Sequence, residues 1–286
     1  MFDALLAYVS LLDAICAFSI MALSQYIALR GGLYSLATPA FALLGAYGGA
    51  ILLRDYKLDP ILCTVLATAM GIAAGLLLSV PLAKLRGGFQ AIATIGFAQI
   101  LISLVLYAEN LTGGALGYNA IPKVATTPIL IVALAAVGAL LAIINRSSIG
   151  CAFDAIRQDD TVAASLGISV ARYFRLNFAL SGALGALGGC LLAFNTFSIS
   201  PEEFGFPLLV VLIAAVVLGG RASIAGAIVG TAILLALPEL IRPLRDQRLL
   251  LQGAILIAVI IYLPNGIIDS VIERVSAYRS RTRRAP

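Results

Sequence analysis

The sequence predicts an all-α fold, a polytopic membrane helical bundle of about nine transmembrane segments (8–10). Three observations carry this. Of the 286 residues, 61% are hydrophobic and only 12% charged, against about 45–50% and about 25% in soluble domains. A water-facing surface needs charge that this chain lacks, so lipid is its solvent. The mean hydropathy is +1.05, and apolar runs are separated by short polar links. At roughly 20 residues per span, the length holds about eight to ten helices. No sizeable soluble domain fits beside them, so residues 1–286 read as a single membrane domain.

The apolar segments lie near 5–29, 33–53, 60–83, 88–108, 128–145, 173–197, 205–219, 222–241 and 249–265. The first has no basic region before it and is long enough to span, so it reads as a span rather than a leader. Segment 33–53 is broken by Pro39 and by Gly45, Gly48 and Gly49. Residues 61–83 carry no charge. Segment 205–219 is short, and reads as re-entrant or paired with its neighbour. Small residues four apart, Gly71/Gly75, Gly185/Gly189 and Gly226/Gly230, predict helix faces that approach closely in lipid. Gly31–Ala37 and Gly219–Ala225 echo each other at the start of two apolar segments, as repeats do in transporter folds.

Charge gives an orientation. With the 267–286 tail cytoplasmic and every segment crossing, the inside holds Arg30, Lys84, Arg86, Arg146, Arg157, Arg172, Arg175, Arg221 and five tail arginines. Arg54, Lys57, Lys123, Arg242, Arg245 and Arg248 fall outside. That places 13 of the 19 basic residues inside, as basic residues gather on the cytoplasmic side. The net charge of +5 therefore reflects topology rather than nucleic-acid binding, and the basic tail reads as a cytoplasmic anchor on anionic headgroups.

Several chemistries lack their residues. There is no histidine, and Cys16, Cys63, Cys151 and Cys190 stand isolated, so no zinc set forms. No lysine follows a glycine, so there is no phosphate-binding P-loop. Asp159-Asp160 has no second acidic cluster to hold magnesium with it. No catalytic residue, metal or cofactor is predicted.

The longest polar stretch, 146–172, reads as two short helical pieces. Asp154 and Arg157 stand three apart and can pair. Asp159 and Asp160 can cap a helix through Thr161–Leu166, and Gly167 is a natural stop. Ile156, Ala163, Ala164 and Leu166 supply a modest apolar face. Such a segment lies on the membrane or docks on a cytoplasmic partner. Its mixed charge, without the Lys/Trp pattern of a membrane-surface helix, leans toward docking.

This segment and several others resemble the permease subunits of ATP-binding-cassette importers for branched-chain amino acids, nearest the LivM type. The matching pieces are Gly32–Tyr47, Leu85–Ile100, Leu111–Gly117, Ala155–Ile168, Ile199–Phe204, Val217–Ser223 and Leu237–Leu240. The chain departs from the pattern at Gln99, where many relatives carry an acidic residue, and at Arg221, a slot often apolar or small. It is also short for the type.

The resemblance implies a multi-pass protein of a bacterial inner membrane, without enzymatic activity of its own. It would work with a second, LivH-like permease, two cytoplasmic ATPase subunits and an extracytoplasmic solute-binding protein. Asp154, Arg157, Asp159, Asp160, Ala163, Ala164 and Gly167 would form the coupling segment that meets the ATPase. Among embedded polar residues, Asp13, Ser24, Gln25, Thr94, Gln99, Asn177, Ser181, Asn195 and Glu239 are candidates for a substrate path, or for bonds between helices. Thr38, Pro39, Thr94, Gln99, Asn177 and Ser181 are the expected path. Thr112-Gly113-Gly114 reads as part of an outer mouth or as a turn. Urea, short amides or another small polar solute is the alternative cargo. An ion-coupled secondary transporter would need a carboxylate at mid-membrane, for which Asp13 and Glu239 are the candidates.

Overall fold

The described residues fold into a bundle of helices with one short two-stranded ribbon. The structure, a computed structural model, describes residues 2–85, 87–221, 223–240 and 266. The expected span 249–265, the basic run 242–248 and the 267–286 tail lie outside the described residues, as do Arg86, Ala222 and the Glu239 side chain.

The helices are α1 (Phe2–Arg30), α2 (Thr38–Arg54), α3 (Pro60–Leu82), α4 (Gly88–Tyr107), the single turn α5 (Glu109–Thr112), α6 (Thr127–Arg146), α7 (Ser148–Gln158), α8 (Asp160–Ser165), α9 (Val170–Asn195), α10 (Phe206–Gly219) and α11 (Ile224–Leu240). Strands β1 (Tyr118–Asn119) and β2 (Ser198–Ile199) pair antiparallel, Tyr118 opposite Ile199. Among the described residues six helical stretches are long and apolar enough to cross a membrane: Tyr8–Arg30, Pro60–Leu82, Gly88–Tyr107, Thr127–Arg146, Val170–Asn195 and Pro201–Gly219. Two shorter apolar helices, Thr38–Arg54 and Ile224–Leu237, accompany them. These eight correspond in order to the first eight apolar segments of the sequence.

Helix α9 is the axis of the bundle, packed along α1, α2 and α3. Its glycines explain why. A Cβ at Gly182 would strike the Gly71 carbonyl of α3, and one at Gly189 would strike the Ala42 carbonyl of α2. Backbones this close need small residues, and in lipid such contact replaces the hydrophobic effect as the force joining helices. The Gly226/Gly230 pair plays the same part between α10 and α11, where Gly230 lies against the Ala215 carbonyl. Helices α3, α4 and α6 carry exposed Ile, Leu, Val and Phe along their outer faces, as surfaces turned to lipid do.

The loops gather at two ends. At one lie the end of α1, the α3–α4 link and the α6–α9 connection. There Arg30 meets Asp154, and Gly32 abuts the Arg157 backbone. Among the described residues, Arg30, Lys84, Arg146, Arg157, Arg172 and Arg175, which charge assigns to the inside, belong to these connections. At the other, Arg54 lies over the Tyr118 ring, 4.8 Å from its centroid. There the N–H groups of Val124 and Ala125 bond the Phe194 carbonyl. Thr112 is a turn at this end: its hydroxyl donates to the Val105 and Ala108 carbonyls, and Gly113 adopts φ +76.

Candidate functional site

The break between α1 and α2 organises the site. Hydropathy alone places a helix from residue 33, but α2 begins at Thr38. Helix α1 closes with the Gly32 N–H on the Leu29 carbonyl and the Leu33 N–H on the Ala28 carbonyl. Gly32 supplies the left-handed turn (φ +74) that this ending requires. Residues 33–37 then run non-helically, with Leu33, Ser35 and Ala37 buried and Tyr34 exposed. Side chains pair part of their backbone. The Tyr34 N–H donates to Gln90 Oε1 at 3.0 Å and the Leu36 N–H to Thr94 Oγ1 at 3.0 Å. Gln25 Nε2 donates to the Ser35 carbonyl at 2.9 Å. Gln90 and Thr94, four apart on α4, thus form a rail for the unwound segment.

Four of the six expected path residues meet around this break. Thr38 donates to Gln25 Oε1 at 2.8 Å. Ser24 donates to the Ser181 carbonyl at 2.7 Å and lies 3.0 Å from the Ser181 hydroxyl. Asn177 Nδ2 reaches the Ala28 carbonyl at 3.4 Å. Thr94 completes the group through Leu36. All are buried.

Pro39 and Gln99 line a separate crevice. Residues 196–205 run back into the bundle from the opposite end: the Tyr47 hydroxyl, partway along α2, donates to the Ile199 carbonyl at 3.4 Å. Phe204 and Phe206 then reach Leu36, Pro39 and Gln99. The crevice therefore lies where α2 and α10, each with proline in its first turn, both begin. It holds about 10 Å3, room for roughly one water. Breaks of this kind beside a cavity occur in transporter folds.

The 146–172 connection folds as α7 and α8. Asp159 caps α8, its Oδ1 accepting from the N–H groups of Thr161 (2.8 Å) and Val162 (3.1 Å). The Thr161 hydroxyl, with those two N–H groups, holds its carboxyl below the usual range. Gly167 ends α8 at φ +83. Asp154 has two partners, and the better one is Arg30 at 3.1 Å; Arg157 lies 3.9 Å away. Arg30 also donates to the Tyr26 hydroxyl at 2.9 Å, which takes a second bond from Asn145 of α6 at 3.0 Å. Phe153 and Ala163 face the bundle and are buried, whereas Val162, Ala164 and Leu166 are exposed. Asp160 lies beside the cap, on the rim of a cavity of about 500 Å3 between α8, the break and the start of α4.

Asp13 sits near the opposite end of α1. Its Oδ2 accepts from Asn195 Nδ2 at 2.9 Å, and that amide also bonds the Ala125 carbonyl at 3.1 Å. It ties α1 to the end of α9 and the approach to α6. The sequence reading names Asp154, with Arg157 as its partner, but not Arg30, Gln90 or Ser35 as site groups. For Gln90 a signal was there: it stands four residues before Thr94 in the same motif. Arg30 and Asp154 are 124 positions apart and carry none.

The family model for the branched-chain amino acid transport system permease component matches residues 7–261, and the chain belongs to that family. It is similar to the high-affinity branched-chain amino acid transport system permease protein LivM of Salmonella typhimurium, 32% identical over 83% of this chain and 64% of the relative. The Escherichia coli K12 protein of the same name is 31% identical over the same shares. LivH of Salmonella typhimurium is 29% identical over 61% of this chain and 57% of its own. The match thus spans just under two thirds of the LivM relatives' length. No solved structure matches the chain.

Proposed function

We propose that this member of the branched-chain amino acid permease family is the membrane subunit of an ATP-driven importer, moving branched-chain or other hydrophobic neutral amino acids by alternating access with a LivH-like partner permease. ATP hydrolysis belongs to two separate cytoplasmic subunits, and an extracytoplasmic solute-binding protein delivers the cargo. The membrane is a bacterial inner membrane, with the α7–α8 end cytoplasmic. The names of the LivM and LivH relatives support the cargo.

One observation carries the mechanism. The α7–α8 pair is anchored on its inner side, through Arg30–Asp154 and buried Phe153 and Ala163, and bare on its outer side at Val162, Ala164 and Leu166. A segment held rigidly to the spans with an apolar face outward suits a coupling element, because force applied to it reaches α1. Asp154, Arg157, Asp159, Asp160, Ala163, Ala164 and Gly167 form or support that element. The path passes Pro39 and Gln99, where the two broken helices begin. Thr38, Thr94, Asn177 and Ser181 hold the break that must shift to open it.

Asp159→Lys and Gly167→Pro test this in the assembly purified from its native membrane. Asp159→Lys removes the cap, and proline cannot adopt the φ of +83 that Gly167 uses. Both variants should insert normally and lose stimulation of ATP hydrolysis. Unaltered stimulation in both would remove α7–α8 from the mechanism.

A further inference from the structure

We propose that Gly32 is a positioning residue for transport: its main-chain contact with Arg157 carries the movement of α7–α8 into the break between α1 and α2. This role rests on the coupling reading above and names the contact that transmits.

Gly32 and Arg157 meet backbone to backbone. A Cβ at Gly32 would lie 3.1 Å from the Arg157 Cα and 3.5 Å from its nitrogen, so no side chain stands between the two main chains. Gly32 also holds φ +74, which a residue with a Cβ resists. Side chains yield to a push by changing rotamer, whereas close-packed main chain passes the push on. Gly31 is blocked on the other side. A Cβ there would overlap the Asn177 amide of α9, and Asn177 Nδ2 bonds the Ala28 carbonyl at 3.4 Å. The two glycines are thus clasped between the axis of the bundle and α7. The Arg30–Asp154 pair is a softer tie, since the Asp154 side chain is 40% exposed.

From Gly32 the chain leads straight to the crevice. Leu36, a few residues on, lines it, and so does Pro39 in the first turn of α2. The Leu36 N–H bonds Thr94 of α4, and Gln99, on the opposite wall, belongs to that same helix. A shift at Gly32 pulls on Leu36 directly and on α4 through Thr94, so both walls of the crevice answer to it. There is also room for the shift. Gly31, Gly32 and Tyr34 share a cavity of about 500 Å3 with Ile156, Asp159 and Thr161. The contact therefore sits at the edge of open space, and α7–α8 can turn about it. A rigid element pivoting beside a void is how small displacements drive a hinge.

L-leucine uptake and ATP hydrolysis are measured together, in proteoliposomes that hold the permease–ATPase assembly and receive solute-binding protein. Gly32→Ala presses on Arg157 and strains the turn. Gly32→Asn presses equally but tolerates a left-handed backbone, so it reads the contact where Gly32→Ala fails to assemble. Both should keep hydrolysis within about twofold of wild type and lower uptake per ATP by about tenfold. An equal fall in both rates, or uptake restored by asparagine, overturns the role of the contact. A second measurement fixes the contact chemically. A Cβ on Gly32 would lie 3.6 Å from the Arg157 Cβ, within the about 3.5–4.5 Å of a disulfide. Cys151 is exposed on the same helix, so the pair is made in a Cys151→Ser background. Gly32→Cys with Arg157→Cys should be uncoupled when reduced and regain uptake per ATP when oxidised. Oxidation that stops uptake would mean that the two main chains part during the cycle, and would overturn the role as well. A wild-type assembly that hydrolyses ATP but takes up no amino acid overturns the transport reading beneath it.

Discussion

Thr38 shows how single side chains replace a backbone ladder inside lipid. Its hydroxyl is the donor for Gln25 Oε1, and the same Gln25 holds the Ser35 carbonyl through Nε2. Thr38→Val keeps the shape and removes the donor, leaving an acceptor buried without a partner. The loss should be about 1–2 kcal/mol, read as a lower unfolding midpoint in mild detergent, with Thr38→Ser close to wild type. Arg30 and Asp154 differ in kind. The Asp154 side chain is 40% exposed, so solvent screens the pair and its stability contribution is about 0.5–1 kcal/mol. The pair joins α7 to α1, the link that the proposed coupling requires. Arg30→Ala should therefore cost more in coupled ATP hydrolysis than in stability, and the exchange Arg30→Asp with Asp154→Arg should recover part of the coupling. A swap no better than the single change would discount the pair. Asp159 sets a pH dependence of known sign. Its carboxyl is depressed in the folded state, so the cap's stabilisation is present above the ordinary carboxylate range and fades as pH falls through the lowered value. Coupling measured between about pH 6 and 8 should be flat on Asp159's account, because a carboxylate titrates near 4.

At the scale of elements, glycines separate contact faces from lipid faces. A Cβ at Gly71 would meet the Gly182 carbonyl and the Ala186 methyl, whereas one at Gly138 meets nothing within 4 Å. Gly71→Ala should push α3 from α9 and cut the yield of folded protein. Gly138→Ala, in the middle of α6, should be neutral or stabilising by up to about 1 kcal/mol, because alanine restricts the unfolded chain. Thermal unfolding of the two variants side by side checks this, and equal effects would mean that α3 and α9 are not in backbone contact. The same elements show what was legible in advance. Local signals were: apolar runs located the spans, Asp159 and Gly167 announced α8, and four-residue glycine spacing marked α3, α9 and α11 as close-packing helices. The break at 33–37 was not, because leucine, tyrosine and alanine are as apolar unwound as helical. What unwinds them is Gln25, Gln90 and Thr94, brought in by tertiary packing. The inward dip of residues 196–205 escaped for the same reason: its anchors, Tyr47 and the β1–β2 ribbon, are distant in sequence.

At the scale of the whole molecule, the two ends of the bundle make a topological prediction that native cysteines can read. Arg30, Lys84, Arg146, Arg157, Arg172 and Arg175 belong to connections that share one end, and Arg54, Lys57 and Lys123 to connections at the other. Under the positive-inside rule, the excess of basic residues at the α7–α8 end predicts that this end is cytoplasmic. Of the four cysteines, Cys16, Cys63 and Cys190 are buried and Cys151, on α7, is exposed. A membrane-impermeant maleimide should therefore modify one site. It should do so in inside-out vesicles and not in intact spheroplasts, and Cys151→Ser should abolish the signal. Labelling from the outer side would invert the molecule. It would leave the apolar face of α8 away from the cytoplasmic ATPase proposed for it, so the coupling assignment would fall. Labelling of a second cysteine would instead mean that the bundle opens along α9, where Cys190 lies against Gly49. Repeating the reaction with and without ATP would then show whether that opening belongs to the transport cycle.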